Sequence, residues 1–143
     1  MRNLVSIFWV ILLLASMSYF FLFKKDDVKY LDQGIQYFNE NRYDEALTHF
    51  ELAEKLGNDD ALKYSGTIYL ETNNPQKAIP KFEKYISKTK VNDEELKFAF
   101  NDLGVTYFKI NEISNAKKYW KKAADLGNQT SLNNLKELEK NNQ

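Results

Sequence analysis

The chain has 143 residues and a formal net charge of zero, because 20 Lys and Arg residues balance 20 Asp and Glu residues. This length suits one small domain with an additional segment, and the balanced charge does not indicate nucleic-acid binding. With no cysteine and a single histidine, His49, the sequence excludes disulfides and thiolate chemistry. We therefore expect no enzyme activity, no cofactor, no metal site and no small-molecule substrate.

The first element is an apolar segment, Leu4 to Phe23, that contains no charged residue. A helix of this length, at about 1.5 Å per residue, would be roughly 30 Å long, the thickness of the hydrocarbon core of a bilayer. We predict that residues 1–25 form a transmembrane signal-anchor helix with its flanks, with residues 4–23 in the membrane. The alternative is a cleaved signal peptide with Ser16 and Ser18 before the cut. The apolar run continues beyond these serines, which favours a retained anchor.

The basic residues around this segment give two indications of orientation. Lys24, Lys25 and Lys29 follow it, which slightly favours a C-terminal domain in the cytoplasm. A very short N-terminal tail before an apolar segment is instead typical of a signal anchor. We predict a single-pass membrane protein whose repeat domain lies on the extracytoplasmic side.

A pattern that occurs three times follows the apolar segment. Each copy has a glycine, a tyrosine three residues later, an alanine twelve residues after the glycine, and an aromatic residue four residues after the alanine. The copies are Gly34-Tyr37-Ala46-Phe50, Gly66-Tyr69-Ala78-Phe82 and Gly104-Tyr107-Ala116-Trp120. Spacings of three and four place residues on one face of a helix. A small residue lets two helices approach closely, and the aromatic ring fills the remaining space.

An asparagine lies between the two halves of every copy, at Asn41, Asn73 and Asn111. Asparagine tolerates the left-handed backbone conformation, so it can reverse the chain between two antiparallel helices. Each copy is therefore predicted to form a helix, a tight turn and a second helix, and the fold class is predicted to be all-α.

The pattern resembles the tetratricopeptide repeat (TPR), whose first half has a bulky residue, Leu, Gly and Tyr, and whose second half has Ala and Phe. The first halves here are Tyr30-Gln33-Gly34-Tyr37, Leu62-Ser65-Gly66-Tyr69 and Phe100-Leu103-Gly104-Tyr107. The resemblance extends over residues 27–141. The closing proline of the family is missing from all three units, and the glycines are 32 and 38 residues apart, whereas the family period is about 34.

A second pattern, Ala53-x3-Gly57-Asn58 and Ala123-x3-Gly127-Asn128, resembles the junction of the Sel-one-like repeat. Both resemblances imply a helix-pair α-solenoid. We predict about three repeats plus a capping helix in residues 26–143, preceded by one transmembrane helix. The units are predicted at about residues 27–58, 59–91 and 92–127, and the capping helix at 128–141.

The longer glycine spacing predicts a widened loop between Ser87 and Glu95. Asn92 is predicted to cap the helix that follows. Three acidic residues would then occupy the first turn of that helix, where carboxylates favour the positive end of the helix dipole. They are Asp93, Glu94 and Glu95.

Resemblance to TPR domains implies that the first helices of the units line a concave groove that binds extended peptides or helices. The groove positions are Leu31, Ile35, Phe38, Lys63, Thr67, Leu70, Asn101, Val105 and Phe108. Family members that bind a C-terminal carboxylate use lysines and asparagines there, and this set is mostly apolar. We predict an apolar helix or strand of a partner protein as the ligand. The alternative is that some of these side chains belong to the core or lie under the terminal helix.

These features predict a membrane-anchored protein–protein interaction adaptor or assembly scaffold. The alternative is a permanent structural subunit of an envelope complex, with no exchangeable ligand. The lysine-rich run from Lys117 to Lys122 is the one sequence feature that suggests nucleic acid. Because Trp120 holds the core position of its unit, we expect the lysines to be solvated flanks and no nucleic acid to bind.

Overall fold

The computed structural model describes residues 2–90 and 94–140, without the side chains of residues 2–6, 16, 17 and 20–25. Over these residues the chain forms seven α-helices joined by short connections. They are α1 (Arg2–Asn39), α2 (Tyr43–Lys55), α3 (Asp60–Glu71), α4 (Pro75–Lys88), α5 (Leu96–Lys109), α6 (Ile113–Asp125) and α7 (Gln129–Lys140).

The helices pack as consecutive pairs. Helix α1 lies against α2, α3 against α4, and α5 against α6, while α7 packs on α6. The first helices of the pairs are also neighbours, because α3 contacts both α1 and α5. The predicted all-α, helix-pair solenoid is confirmed. The limits predicted for the individual units stay predictions.

Each pair is closed by the glycine and the aromatic residue of the repeated pattern. A Cβ carbon placed on Gly66 would lie 2.8 Å from Cε1 of Phe82, and one placed on Gly104 would lie 2.5 Å from Cδ1 of Trp120. Phe82 is fully buried and Trp120 is 3% exposed. The missing side chain of the glycine therefore makes room for the ring, which fills the interior of the pair.

The turn within each pair uses a left-handed asparagine. The φ angles of Asn41, Asn73 and Asn111 are 58°, 58° and 62°. In the first of these turns the Arg42 amide donates to the carbonyl of Tyr37 at 2.9 Å. This bond satisfies a carbonyl at the end of the helix, as in a Schellman motif.

The turns after α2 and α6 use glycine in the same way. Gly57 and Gly127 have φ angles of 94° and 86°. The Asn58 amide donates to the carbonyl of Ala53 at 2.9 Å, and the equivalent bond joins Asn128 to Ala123. The Ala-x3-Gly-Asn pattern is thus the sequence signature of a helix end that closes with a left-handed residue.

The prediction of a transmembrane helix before the repeats, and with it the predicted single-pass membrane localisation, is wrong. No helix in residues 2–90 and 94–140 combines the length and the apolar character needed to cross a membrane. The side chains of 4–6, 16, 17 and 20–23 lie outside the described residues.

The N-terminal segment and the first helix of the repeats form one element. Helix α1 runs without a break from Arg2 to Asn39, a length of 38 residues. The apolar side chains from Ile7 to Leu14 are each at least half exposed.

The joint between the second and third pairs lies in the predicted region. Helix α4 ends at Lys88, and α5 begins at Leu96. Asn92 and Asp93 lie outside the described residues, so the predicted cap at Asn92 stays a prediction. Glu94 and Glu95 directly precede α5.

Candidate partner-binding groove

The predicted groove residues lie on the first helices of the pairs, α1, α3 and α5, and α3 contacts both of the others. Of the nine residues predicted to line it, Phe108 is exposed, and the other eight are partly buried. Partial burial means that these side chains contribute to packing and also present surface. Their partial burial is therefore compatible with both interpretations of this set, as a partner-binding surface and as part of the core.

The α1 section of the groove is closely joined to the core. Leu31, Ile35 and Phe38 pack against a buried cluster that includes Phe50. The ring centroid of Phe38 lies 5.9 Å from that of Tyr43 and 6.1 Å, edge to face, from that of Tyr64. These contacts leave only part of each side chain for a ligand.

The α3 section contains the one charged residue of the predicted set, Lys63. Its Nζ atom lies 2.6 Å from Oε2 of Glu95, and its side chain is 16% exposed. Burial is the largest influence and acts to lower the pKa of Lys63, but the hydrogen bond with Glu95 and the charges around the ammonium group together hold the pKa above its usual value. The Thr67 hydroxyl donates to the Lys63 carbonyl at 3.1 Å. The positive charge of Lys63 is thus already balanced by the carboxylate of Glu95.

The α5 section is tied to α7 through Asn101. The hydroxyl of Ser131, a fully buried residue, donates to Oδ1 of Asn101 at 2.8 Å. The Ser131 amide in turn donates to Oδ1 of Asn128 at 2.9 Å, which caps the first turn of α7. A part-buried hydrogen bond thus links α7, which packs on α6, to α5.

Asp102, next to the predicted groove residue Asn101, is a partly buried carboxylic acid that the sequence analysis did not single out. Burial raises the pKa of its carboxyl to about 6, although the hydrogen bond from Asn101 and the charge of Lys63 oppose the rise. The Asn101 amide donates to Oδ1 of Asp102 at 3.1 Å. Its position, two residues before Gly104, matches that of Tyr64 before Gly66.

A cavity of about 260 Å³ lies at the α7 end of the groove. Val105 and Phe108 line it from α5, Trp120 from α6, and α7 contributes Asn134, Glu137 and Leu138. The ring centroids of Phe108 and Trp120 are 5.5 Å apart. The three α7 residues were not predicted, because their place beside the groove depends on how the capping helix packs.

A second cleft, of about 660 Å³, lies between α2 and α4 and has different chemistry. Lys81 and Lys84 reach across it and each lie 2.6 Å from the carboxylate of Glu54. Burial acts to raise the pKa of Glu54, but the hydrogen bonds from these two lysines hold it below its usual value. This cleft is closed by charge pairs, whereas the groove is mostly apolar.

Two solved structures are similar to this chain over most of its length. The N-terminal domain of stress-induced protein-1 (STI-1) from C. elegans has a TM-score of 0.74 at 18% identity, covering 82% of this chain and 97% of that chain. The first TPR of Spaghetti (RPAP3), bound to the HSP90 peptide SRMEEVD, has a TM-score of 0.72 at 18% identity, covering 81% and 92%. No family model matches the sequence, and no curated protein matches it significantly. The TPR-like all-helical fold is confirmed by these structures.

Proposed function

We propose that this chain is a protein–protein interaction adaptor or assembly scaffold that binds a segment of a partner in the concave groove. The observation that carries the proposal is Phe108, which is 45% exposed and lines the α5–α7 cavity with Val105. An exposed aromatic ring beside an open apolar cavity is typical of an anchor point in a binding site. The RPAP3 domain, which was solved with a bound peptide, supports a ligand of that kind.

The polar groups of the groove argue for an apolar ligand. Lys63 is paired with Glu95, and Asn101 is hydrogen-bonded to Ser131. An acidic segment that bound there would have to break these contacts. The side chains of Glu95 and Ser131 would then lose their hydrogen-bond partners, which is unfavourable. An apolar helix or strand can bind without breaking these contacts.

The test is the capture of a partner by the full chain in cells of its source, using cross-linking followed by identification of the bound protein. Phe108→Ser should reduce the recovered partner about tenfold or more, since it removes an anchor ring worth about 1.4 kcal/mol or more. Phe98→Ser is the matched control, because Phe98 is 46% exposed on the same helix and belongs to neither the predicted groove nor its cavity. Equal recovery with both variants would contradict the proposal.

A permanent structural subunit is the second candidate function. The apolar side chains from Ile7 to Leu14, which are 50–61% exposed, favour it, because apolar surface of this extent is usually covered by a stable contact. A pulse-chase measurement separates the two functions. A partner that exchanges with newly made protein supports the adaptor, and a partner that never exchanges supports the subunit.

A further inference from the structure

We infer that a lysine face on α6 binds an acidic tip on a second copy of this chain. The lysine face consists of the exposed or partly exposed lysines of α6, which are Lys117, Lys118, Lys121 and Lys122. The acidic tip consists of exposed carboxylates at the turns of the first two helix pairs, which are Glu40, Asp44, Glu45 and Glu71. Neither surface contains a predicted groove residue, so the inference is separate from the proposed function.

The lysine face has no carboxylate partner within the described part of the chain. The ion pairs of residues 2–90 and 94–140 all lie between Glu40 and Glu95. Asp125, in the last turn, is the one acidic residue of α6, whose bounds are Ile113–Asp125. Four lysines therefore share one helix with a single carboxylate.

The two helices that pack on α6 do not balance this charge. Helix α5 contributes two lysines and one aspartate, and α7 contributes two lysines and two glutamates. Over the whole stretch from Lys97 to Lys140 there are eight basic and five acidic side chains, a net charge of +3. The C-terminal end of the solenoid is thus basic with every carboxylate counted.

The acidic tip carries the opposite charge. Arg42 is the one cation between Glu40 and Glu45, and its guanidinium is shared by both carboxylates at 3.1 and 2.8 Å. Asp44 forms no ion pair with the residues of 2–90 and 94–140. These three carboxylates are therefore only partly balanced by one guanidinium.

The end of α3 extends this tip. The Tyr43 hydroxyl donates to Oε2 of Glu71 at 2.7 Å, so the end of α3 lies beside the start of α2. Lys77, near the start of α4, lies 5.5 Å from the ring centroid of Tyr69. With this lysine and Arg42 both counted, the four carboxylates of the tip still leave a net charge of −2.

The two surfaces can meet only between copies. The first two pairs stack through α1, α3 and α5, and α6 lies at the other end of the stack against α5 and α7. Because the surfaces differ, the contact is heterologous, and each copy offers one surface of each kind. A single exposed ion pair contributes little, but four lysines facing four carboxylates give several pairs at once and complementary charge over the contact.

The rings beside the lysine face do not favour nucleic acid as its occupant. Tyr119 is stacked on Tyr107 at a centroid distance of 5.5 Å, and Trp120 is 3% exposed. Proteins that bind single-stranded nucleic acid combine lysines with free rings on which bases stack. The face offers lysines without such a platform, which favours a protein surface bearing carboxylates.

The experiment measures energy transfer between donor-labelled and acceptor-labelled copies of the full chain. Gln143→Cys supplies the labelling site, since the chain has no cysteine. A non-ionic detergent covers the apolar side chains from Ile7 to Leu14 without screening charge. Energy transfer should be present in about 20 mM salt and should fall about fivefold or more in about 500 mM salt, because salt screens exposed charges.

Charge reversal on either surface should weaken the association about tenfold. The α6 variant is Lys118→Glu with Lys121→Glu, and the tip variant is Glu40→Lys with Glu71→Lys. The control is Lys29→Glu with Lys90→Glu, which changes the net charge as much as the α6 variant at exposed positions outside both surfaces, and it should keep the transfer. If the reversed α6 variant loses helical circular dichroism, Lys118→Gln with Lys121→Gln replaces it and should weaken association about threefold.

A mixture of the two reversed variants tests the pairing directly. Each variant alone lacks one of the two surfaces, but the intact tip of the α6 variant can bind the intact lysine face of the tip variant. The mixture should therefore regain the transfer of the unmodified chain. A mixture without transfer, a control as weak as the α6 variant, or an unmodified chain without salt-sensitive transfer would overturn the inference. Loss of transfer on adding a single-stranded oligonucleotide would assign the face to nucleic acid and overturn it as well.

Discussion

The ring of Phe50 lies so close to Gly34 that a Cβ carbon on the glycine would stand 2.5 Å from Cε1 of the ring. Phe50 is fully buried, and it also stacks on Tyr64 of the next pair at a centroid distance of 5.3 Å. One ring thus closes the first helix pair and contacts the second. Any enlargement at Gly34 must displace a side chain that two pairs share.

Gly34→Ala should therefore destabilise the fold although alanine favours helices. The added methyl group meets Phe50 well inside contact distance, and overpacking of this kind costs about 1–3 kcal/mol. The free energy of unfolding from urea titration measures the effect. In the double variant Gly34→Ala, Phe50→Leu the smaller side chain makes room, so the two changes should not add. Simple additivity would show that the ring is not the obstacle.

The left-handed turn at Asn73 predicts an order of stabilities that differs from helix propensity. Asn73 has a φ of 58° and an exposed side chain. Asn73→Val should lower the free energy of unfolding by about 1–2 kcal/mol, because a β-branched residue is strained at positive φ. Asn73→Gly should stay within about 0.5 kcal/mol of the unmodified chain, since glycine adopts this conformation freely. A valine variant as stable as the glycine variant would contradict the prediction.

Asp102 should make stability depend on pH. Burial raises the pKa of its carboxyl to about 6 from 3.8, so between these values the folded chain holds more protons than the unfolded chain. The contribution of Asp102 to the free energy of unfolding should then fall as pH rises from about 4 to about 6, and stay low above that. Asp102→Asn should raise the free energy of unfolding at about pH 8 by about 1–3 kcal/mol.

The control for this prediction is Asp32→Asn. Asp32 occupies the same position before Gly34 but is exposed, so water solvates its carboxylate in the folded and the unfolded chain. The difference in stability between about pH 4 and about pH 8 should persist in the Asp32→Asn variant and shrink in the Asp102→Asn variant. If the stability difference between the two pH values shrinks equally in both variants, Asp102 is not the cause of the pH dependence.

The carboxylate of Glu54, which two lysines share, should contribute more to the free energy of unfolding than a single exposed ion pair does. Its side chain is 17% exposed and receives both Lys81 and Lys84 at 2.6 Å. Glu54→Gln should lower the free energy of unfolding at neutral pH by about 1 kcal/mol, and the loss should diminish in high salt. Glu51→Gln is the control, because its pair with Lys55 is 66% exposed on both sides. That change should cost less than about 0.5 kcal/mol.

The stability from Glu54 has its own pH dependence, opposite in sign to that of Asp102. The two lysines hold the pKa of Glu54 below its usual 4.5, so its contribution is present above that value and lost as pH falls below it. Measurements of the Glu54→Gln variant across the acid range should converge with those of the unmodified chain at the lowest pH. A constant difference would mean that charge is not responsible.

The repeated pattern predicted the helix pairs because its information is local. A glycine, a tyrosine and an alanine at spacings of three and four define a helix face, and asparagines such as Asn41 define the reversal. These features depend on a few neighbouring residues. The fold class of the repeats could therefore be predicted from the sequence, including the joint between α4 and α5.

The features that could not be predicted depend on contacts between distant residues. Asn101 meets Ser131 across 30 positions of sequence, and Glu137 reaches the cavity through the packing of α7 on α6. The raised pKa of Asp102 arises from burial between helices. The transmembrane prediction failed on the described residues, among which no helix is both long and apolar enough to cross a membrane.

The continuity of α1 gives the molecule a spacer of defined length. From Ile7 to Leu31 the helix rises by about 36 Å, at about 1.5 Å per residue. A helix without a break has no hinge, so a rotation of its N-terminal part is transmitted to the groove. Whatever contacts the side chains from Ile7 to Leu14 therefore also sets the distance and the direction in which the groove is presented to its ligand. Inserting two glycines near Val28 would turn this rigid arm into a flexible tether and uncouple the two ends.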